Sequence, residues 1–402
     1  MPTADIQKLF KHPFLSQFII AAKLLPFTDS EIKKLNEELD RYEQLFLNPD
    51  IERKLITKNE LLASFAISKA EGSQLTLQEA QDVYKIVIKN KGYDFIKIKL
   101  QNKQSLTQKD YEKLEFFNIA KTFRTLNLHP LSINDLTPSL IKNIHKQLTV
   151  GLDVFINLPG FNIYKAGLWR DNDTIRVGEY IPARYQTIEK GITELIDYIK
   201  KNKTITALAV FHTALYGLHP FNNGNKRVCR ILEHLLLRGL KLNSKNLYST
   251  SYYYHKQKPR YYKYLLYSLE RKNLNHFAAF VLEAIVLSII SVVKTSLEVK
   301  RSGFINRQSI EREIKSILKP LIKRKELQYK HLFKIVKTKM ARQTFVTYLQ
   351  KATDEKIITK RISGRTTFYS LKLTTHEEVA LQKWIKFAQK RLSYIPDDIK
   401  LT

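Results

Sequence analysis

The stretch His219-Pro220-Phe221-Asn222-Asn223-Gly224-Asn225-Lys226-Arg227-Val228-Cys229-Arg230 decides how the chain reads. Pro220 and the Asn222-Asn223-Gly224 cluster are turn formers, whereas Val228, Ile231, Leu232, Leu235 and Leu236 recur at helical spacing downstream. The stretch is therefore a loop that becomes a helix, over about Lys226 to Arg238. A helix start presents unpaired backbone N–H groups and partial positive charge, and Gly224 lets a ligand approach the backbone closely. Lys226 and Arg227 add charge there. Arg230 lies one turn beyond Arg227, so both guanidinium groups can turn toward one anion. His219, with an ordinary pKa near neutrality, is placed to act as general base on an incoming hydroxyl. The local pattern also fits a plain capped helix with a packing or surface histidine.

Helical spacing continues on both sides. The residues Ile32, Leu35, Leu39, Tyr42 and Phe46, after Thr28-Asp29-Ser30 as a cap, predict a helix over 29–46. Further helices are predicted at about 57–70, stopped by Gly72, and at 76–89, where Thr76 and Glu79 stand in the capping-box relation. Others are expected at 107–126, 137–150, 187–201, 205–216, 258–271 and 274–296. Between Gly160 and Pro182 the pattern changes: Trp169, Ile175, Val177, Tyr180 and Ile181 around the turn Asp171-Asn172-Asp173 suggest a short hairpin. Past residue 300, three short helices (309–324, 329–337, 342–354) precede two strands around Gly364. That is the element order of a winged helix-turn-helix, with 296–308 as the expected linker.

The chain of 402 residues carries a net charge of +30, and residues 301–402 hold 24 Lys/Arg against 9 Asp/Glu, half of the excess. Such asymmetry fits a polyanion partner, and it equally fits Lys written onto solvated faces. The single cysteine, Cys229, rules out an intramolecular disulfide and suits a reducing compartment. The N-terminus lacks the order of a secretory signal. The apolar run 277–293 is interrupted by Glu283 and is short for a span, which predicts a buried helix. A cytoplasmic protein with no membrane association is expected.

The central stretch resembles the Fic motif, His-x-Phe-x-(Asp/Glu)-Gly-Asn-(Gly/Lys)-Arg followed by a second Arg three positions on. His219, Phe221, Gly224, Asn225, Arg227 and Arg230 fall at the matching positions. Gly167-Leu168-Trp169-Arg170 through Tyr180-Ile181-Pro182 looks like the family's flap, and Tyr261-Tyr262 like its aromatic pair. The likeness covers about residues 10–295. It implies a mainly α fold with an N-terminal helical extension (1–105) and a Fic helical core with a short hairpin flap (106–296), to which the element order past residue 300 adds a winged helix (309–374) and a C-terminal helix or tail (375–402).

For function, the resemblance implies that His219 takes the proton of a Ser, Thr or Tyr hydroxyl on an unknown target protein. That hydroxyl attacks the α-phosphate of ATP, transferring AMP. Gly224, Asn225, Lys226 and Arg227 would cradle the phosphates, Arg230 would hold the γ-phosphate, and Tyr262 would lie near the base. Where the family holds Mg²⁺ with Asp or Glu, this chain has Asn223, a poorer ligand for a hard dication. Lys226 resembles the Doc toxins, which transfer the γ-phosphate, so phosphorylation is the alternative, and an inactive ATP-sensing DNA-binding regulator a third. Ile67-Ser68-Lys69-Ala70-Glu71-Gly72 resembles the family's inhibitory helix; Glu71 would pair with Arg230. The basic cluster Lys334, Lys337, Lys339, Arg342, Lys351, Lys360, Arg361 and Arg365 makes duplex DNA the expected C-terminal partner. A homo-oligomer is compatible with all of this.

Overall fold

The computed structural model describes residues 6–46, 49–161, 163–397 and 399. The ends of the expected first and last segments (1–5, 400–402) and the side chains of Tyr42 and Phe46 lie outside the described residues. The fold is mainly helical, and the chain divides into two compact units, Met1–Glu37 with Leu47–Ser288 and Glu38–Phe46 with Ile289–Thr402.

The first unit begins with a two-residue antiparallel pair, β1 (Gln7–Lys8) and β2 (Ile19–Ile20). Its helices follow as α1 (Asp29–Phe46, cut by the unit boundary), α2 (Pro49–Lys69), α3 (Leu77–Ile88), α4 (Phe95–Gln101), α5 (Gln108–Leu128) and α6 (Pro138–Leu148). Then come α7 (Ile188–Asn202), α8 (Ile205–Leu218), α9 (Asn225–Gly239), α10 (Thr250–Lys256) and α11 (Lys258–Glu270). The starts are chemically defined. Thr76 and Thr107 close capping boxes with Glu79 and Asp110, and Thr137 and Thr204 accept the third backbone N–H of α6 and α8.

Helix α8 is apolar all round and buried at every position but Thr206, as a central helix must be. It packs between α7 and α9, while α2 lies against α5 and α10, and α6 against α9. This packing sets the end of α8, the start of α9 and the end of α2 around one another.

Helix α12 runs Asn275–Arg307, which corrects the expected linker: residues 296–307 are its last turns. By length and composition α12 could cross a membrane, but 78% of its apolar window is buried within the protein. In the second unit, Arg301 donates to the carbonyls of Leu321, Ile322 and Arg324 and pairs with Glu378, and Lys300 pairs with Glu377. Those bonds tie the helix end to its own unit where the sequence shows only charge and a glycine.

That unit continues with α13 (Arg312–Leu318), β3 (Leu327–Gln328), α14 (Tyr329–Val336), α15 (Arg342–Asp354), β4 (Ile358–Ser363), β5 (Thr366–Leu371) and α16 (His376–Gln389). The antiparallel sheet has the order β3-β5-β4. Ile314, Leu318, Leu332, Phe345, Leu349 and Ile358 join in one core beneath it. Gly364 (φ +56°) turns the hairpin between β4 and β5.

Candidate active site

The loop between α8 and α9 is built by unusual backbone at both ends. His219 closes α8 in the left-handed region (φ +51°, ψ +61°), and Gly224 opens α9 at φ +80°. A Cβ at Gly224 would come within 3.4 Å of the His145 ring, so the turn favours glycine on both counts. Between them, Asn225 accepts the Phe221 N–H at 3.0 Å and donates to the Phe221 carbonyl at 2.8 Å. Its side chain therefore shapes the loop and is not free for a ligand; its backbone N–H remains at the helix start.

Two groups outside the motif hold this loop: His145, which sequence reasoning did not single out, and Arg170, which it named only as part of the flap. His145, fully buried on α6, stacks on Phe221 (centroids 3.8 Å apart, planes at 4°). Its Nδ1 accepts the Gly167 N–H at 3.0 Å, which assigns the proton to Nε2, 3.1 Å from the Asn223 carbonyl. Arg170, also buried, donates to the carbonyls of His219, Asn172 and Ala183 and pairs with Asp173. It fixes the 163–183 segment over the loop. The expected hairpin is reduced there to a single bridge, Val177 to Tyr180; the side chain of Arg170, rather than a strand ladder, organises it.

His219, Gly224, Asn225 and Lys226 line one pocket of about 710 Å³, with Glu71 and Tyr216 on its wall and Asn172, Thr174, Arg176 and Lys165 from the overlying segment. Burial lowers the His219 imidazole to a pKa of about 4, partly offset by the Glu71 carboxylate. It is neutral at pH 7, and its Nδ1 is buried without a hydrogen-bond partner.

The expected ligand residues do not all reach this space. Lys226 does: its ammonium lies 3.5 Å from Glu71 and 5.2 Å from the Tyr262 ring centre. Arg227 does not line the pocket; it is fully buried, 2.8 Å from Glu115 and 3.1 Å from the Tyr164 hydroxyl. Arg230 is buried over the Tyr261 ring and donates to the Ala66 carbonyl. The expected Glu71–Arg230 pair is therefore corrected: the cations within 4 Å of Glu71 are Lys226 and Arg227. Although burial opposes ionisation, these charges hold the Glu71 carboxyl below its ordinary range.

Asn223 fits Mg²⁺ poorly. Its amide oxygen already accepts the Gly224 N–H at 2.7 Å. No cluster of three or more His, Cys, Asp or Glu suited to a metal occurs among the described residues. A neutral, engaged amide is a weak donor for a hard dication.

Residues 135–237 match the family model described as Fic/DOC family. The chain carries a Fic/DOC domain. Among solved structures, a Fic family protein from Desulfovibrio desulfuricans G20 is 19% identical, with 88% of this chain and 99% of that one covered at a TM-score of 0.49. Fic-1 from C. elegans is 16% identical over 68% of this chain and 72% of its own (TM-score 0.48). A Fic domain containing signaling protein from Bacteroides thetaiotaomicron is 16% identical over 70% of this chain and 99% of its own (TM-score 0.46). The Fic/DOC domain contains α6 to α8 and nearly all of α9, and with them both arms of the loop.

Proposed function

We propose that this Fic/DOC domain transfers AMP from ATP to a hydroxyl group of another protein. The observation that carries the reading is the shared pocket: His219 and the N-terminus of α9 open on the same 710 Å³. The free N–H groups at that helix start and the Lys226 ammonium suit an anionic phosphate chain. His219 suits the acceptor, because a buried, neutral imidazole can take a hydroxyl proton as the oxygen bonds to the α-phosphorus and pyrophosphate leaves. Bound phosphates would place negative charge near the imidazole and raise its pKa from about 4, making it a better base. The segment 163–183 supplies the wall against which a target peptide would lie.

The same geometry supports a self-inhibited state. Residues 66–71 engage three of the groups expected to meet the nucleotide: Ala66 takes Arg230, Ala70 takes the Tyr262 hydroxyl at 2.6 Å, and Glu71 takes Lys226. One displaced segment would release all three.

The test is incubation with α-labelled and, separately, γ-labelled ATP, using wild type, Glu71→Gly and Glu71→Gly with His219→Gln. Protein labelled only from the α-position, and lost in the double variant by at least about a hundredfold, is the expected result. Label carried only from the γ-position would replace AMP transfer by phosphorylation, the reading Lys226 favours. Nucleotide binding without label from either would leave an ATP sensor.

A further inference from the structure

We infer that the C-terminal unit binds duplex DNA, with α15 reading base edges and flanking cations holding phosphates. The inference is independent of the transfer reaction.

Helix α15 buries Phe345, Leu349 and Ala352. Gln343, Thr347 and Gln350, at i, i+4 and i+7, form the opposite stripe, and all three are exposed, as is Val346 at 40%. In a chain with 68 Lys and Arg residues, a merely solvated stripe would be expected to carry lysine. This one carries amides and a hydroxyl. Such groups donate and accept together, as base edges in the major groove require, and a small aliphatic side chain suits the thymine methyl. The amide of Gln350 now donates to Asp354 at 2.8 Å, an exposed bond that can be exchanged for a base.

The same unit carries Lys334 on α14, Lys337 and Lys339 in the turn that follows it, Arg342 at the start of α15, Lys360 on β4 and Arg365 beside Gly364. All six are exposed, and none is in an ion pair among the described residues. Two further cations are occupied: Lys351 by Glu311 at 2.6 Å, and Arg361 by Glu326 at 2.5 Å. Because β4 is an edge strand, Lys360 could serve merely to discourage strand pairing. The uncharged stripe on α15 is what that explanation leaves out. The positive end of the α15 dipole and Arg342 coincide, which favours a phosphate at that end. The hairpin can then rest on the adjacent backbone, as wings do.

The experiment selects from a pool of random-sequence duplexes with the full-length protein, then measures binding of the enriched duplex across salt concentrations. Six phosphate contacts predict a slope of log K against log salt of about −5. Replacing Lys334 and Lys337 by Ala should reduce its magnitude by about 2, whatever the sequence. Gln343→Ala with Gln350→Ala should leave the slope in place and cut the preference for the enriched duplex over a scrambled one by about tenfold or more. All these positions are exposed, and thermal melting checks that the variants fold. The inference is overturned if no duplex is enriched, if the glutamine variants keep full preference, or if single-stranded RNA of equal length binds as tightly.

Discussion

The Glu71 carboxylate lies 3.5 Å from the Lys226 ammonium, inside the pocket that His219 lines. An acidic side chain from the turn after α2 thereby neutralises the Lys226 cation at the start of α9. Its second oxygen is 3.8 Å from Arg227, so the carboxylate sits where the motif's positive potential is concentrated. On the proposed function, a nucleotide phosphate would compete with this carboxylate for one place.

Glu71→Gly should therefore tighten ATP binding by about tenfold or more, equivalent to some 1.4 kcal/mol. The turn tolerates the change: Glu71 follows the end of α2 and precedes Gly72, itself at φ +94°. Titration calorimetry with ATP reads the affinity directly. Equal affinities for wild type and variant would mean that the carboxylate is spectator to nucleotide binding.

Some of this arrangement is legible in the sequence. The bounds of α1, the capping box of α3 and the loop-to-helix change at Gly224 rest on signals within a few residues, and they appear where local chemistry puts them. The motif's spacing also brings His219 and Gly224 to one pocket. What spacing does not say is which side of α9 faces the core. Arg227 and Arg230 were equal candidates for an anion until Glu115 and Tyr261, far away in sequence, took them inward. His145 was missed for the same reason, its partners being 22 and 78 residues distant. Arg170, named only as part of the flap, drew no role because it binds mainly backbone carbonyls with no sequence signature. The end of α12 read as a linker because its stabilising bonds come from residues 321–324 and 377–378.

The Arg227–Glu115 pair should act on stability rather than on nucleotide contact. Both side chains are almost wholly buried, and the guanidinium also donates to Tyr164. Removing one charge strands the other in a medium that solvates it poorly. Glu115→Ala is expected to cost about 3–5 kcal/mol in urea unfolding. Replacement of an exposed glutamate such as Glu355 should cost under about 0.5 kcal/mol. A Glu115→Ala loss below 1 kcal/mol would show that the pair is not held as described.

Asn223→Asp should give the loop a metal affinity it lacks. The new carboxylate can keep accepting the Gly224 N–H with one oxygen, as the amide does at 2.7 Å, and offer the other to a hard dication. Isothermal titration of Mg²⁺ in the presence of a non-hydrolysable ATP analogue should show at least about tenfold tighter binding in the variant. If the two proteins bind Mg²⁺ alike, the neutral amide at 223 is no handicap.

Three buried imidazoles make stability fall in acid, and two of them border the loop between α8 and α9: His145 bonds to it and His219 begins it. Burial lowers His145 and His219 to about 4 and His234 to about 3. Unfolded histidines titrate near 6.5. Between that value and about 4, the unfolded chain binds more protons than the folded one, so stability is complete above pH 6.5 and falls as acid is added. Each group can contribute a slope of up to about 1.4 kcal/mol per pH unit. At His145 the geometry gives the reason: a second ring proton would point Nδ1–H at the Gly167 N–H that now donates to it. His145→Phe keeps a ring against Phe221 and removes the titration. It should be less stable than wild type at pH 7, having lost two hydrogen bonds, yet decline less steeply. Urea midpoints at pH 7, 6 and 5 separate the two effects, since the lost bonds shift the whole curve and the lost titration changes its slope. Parallel curves would mean that His145 takes up its proton in the folded loop without cost.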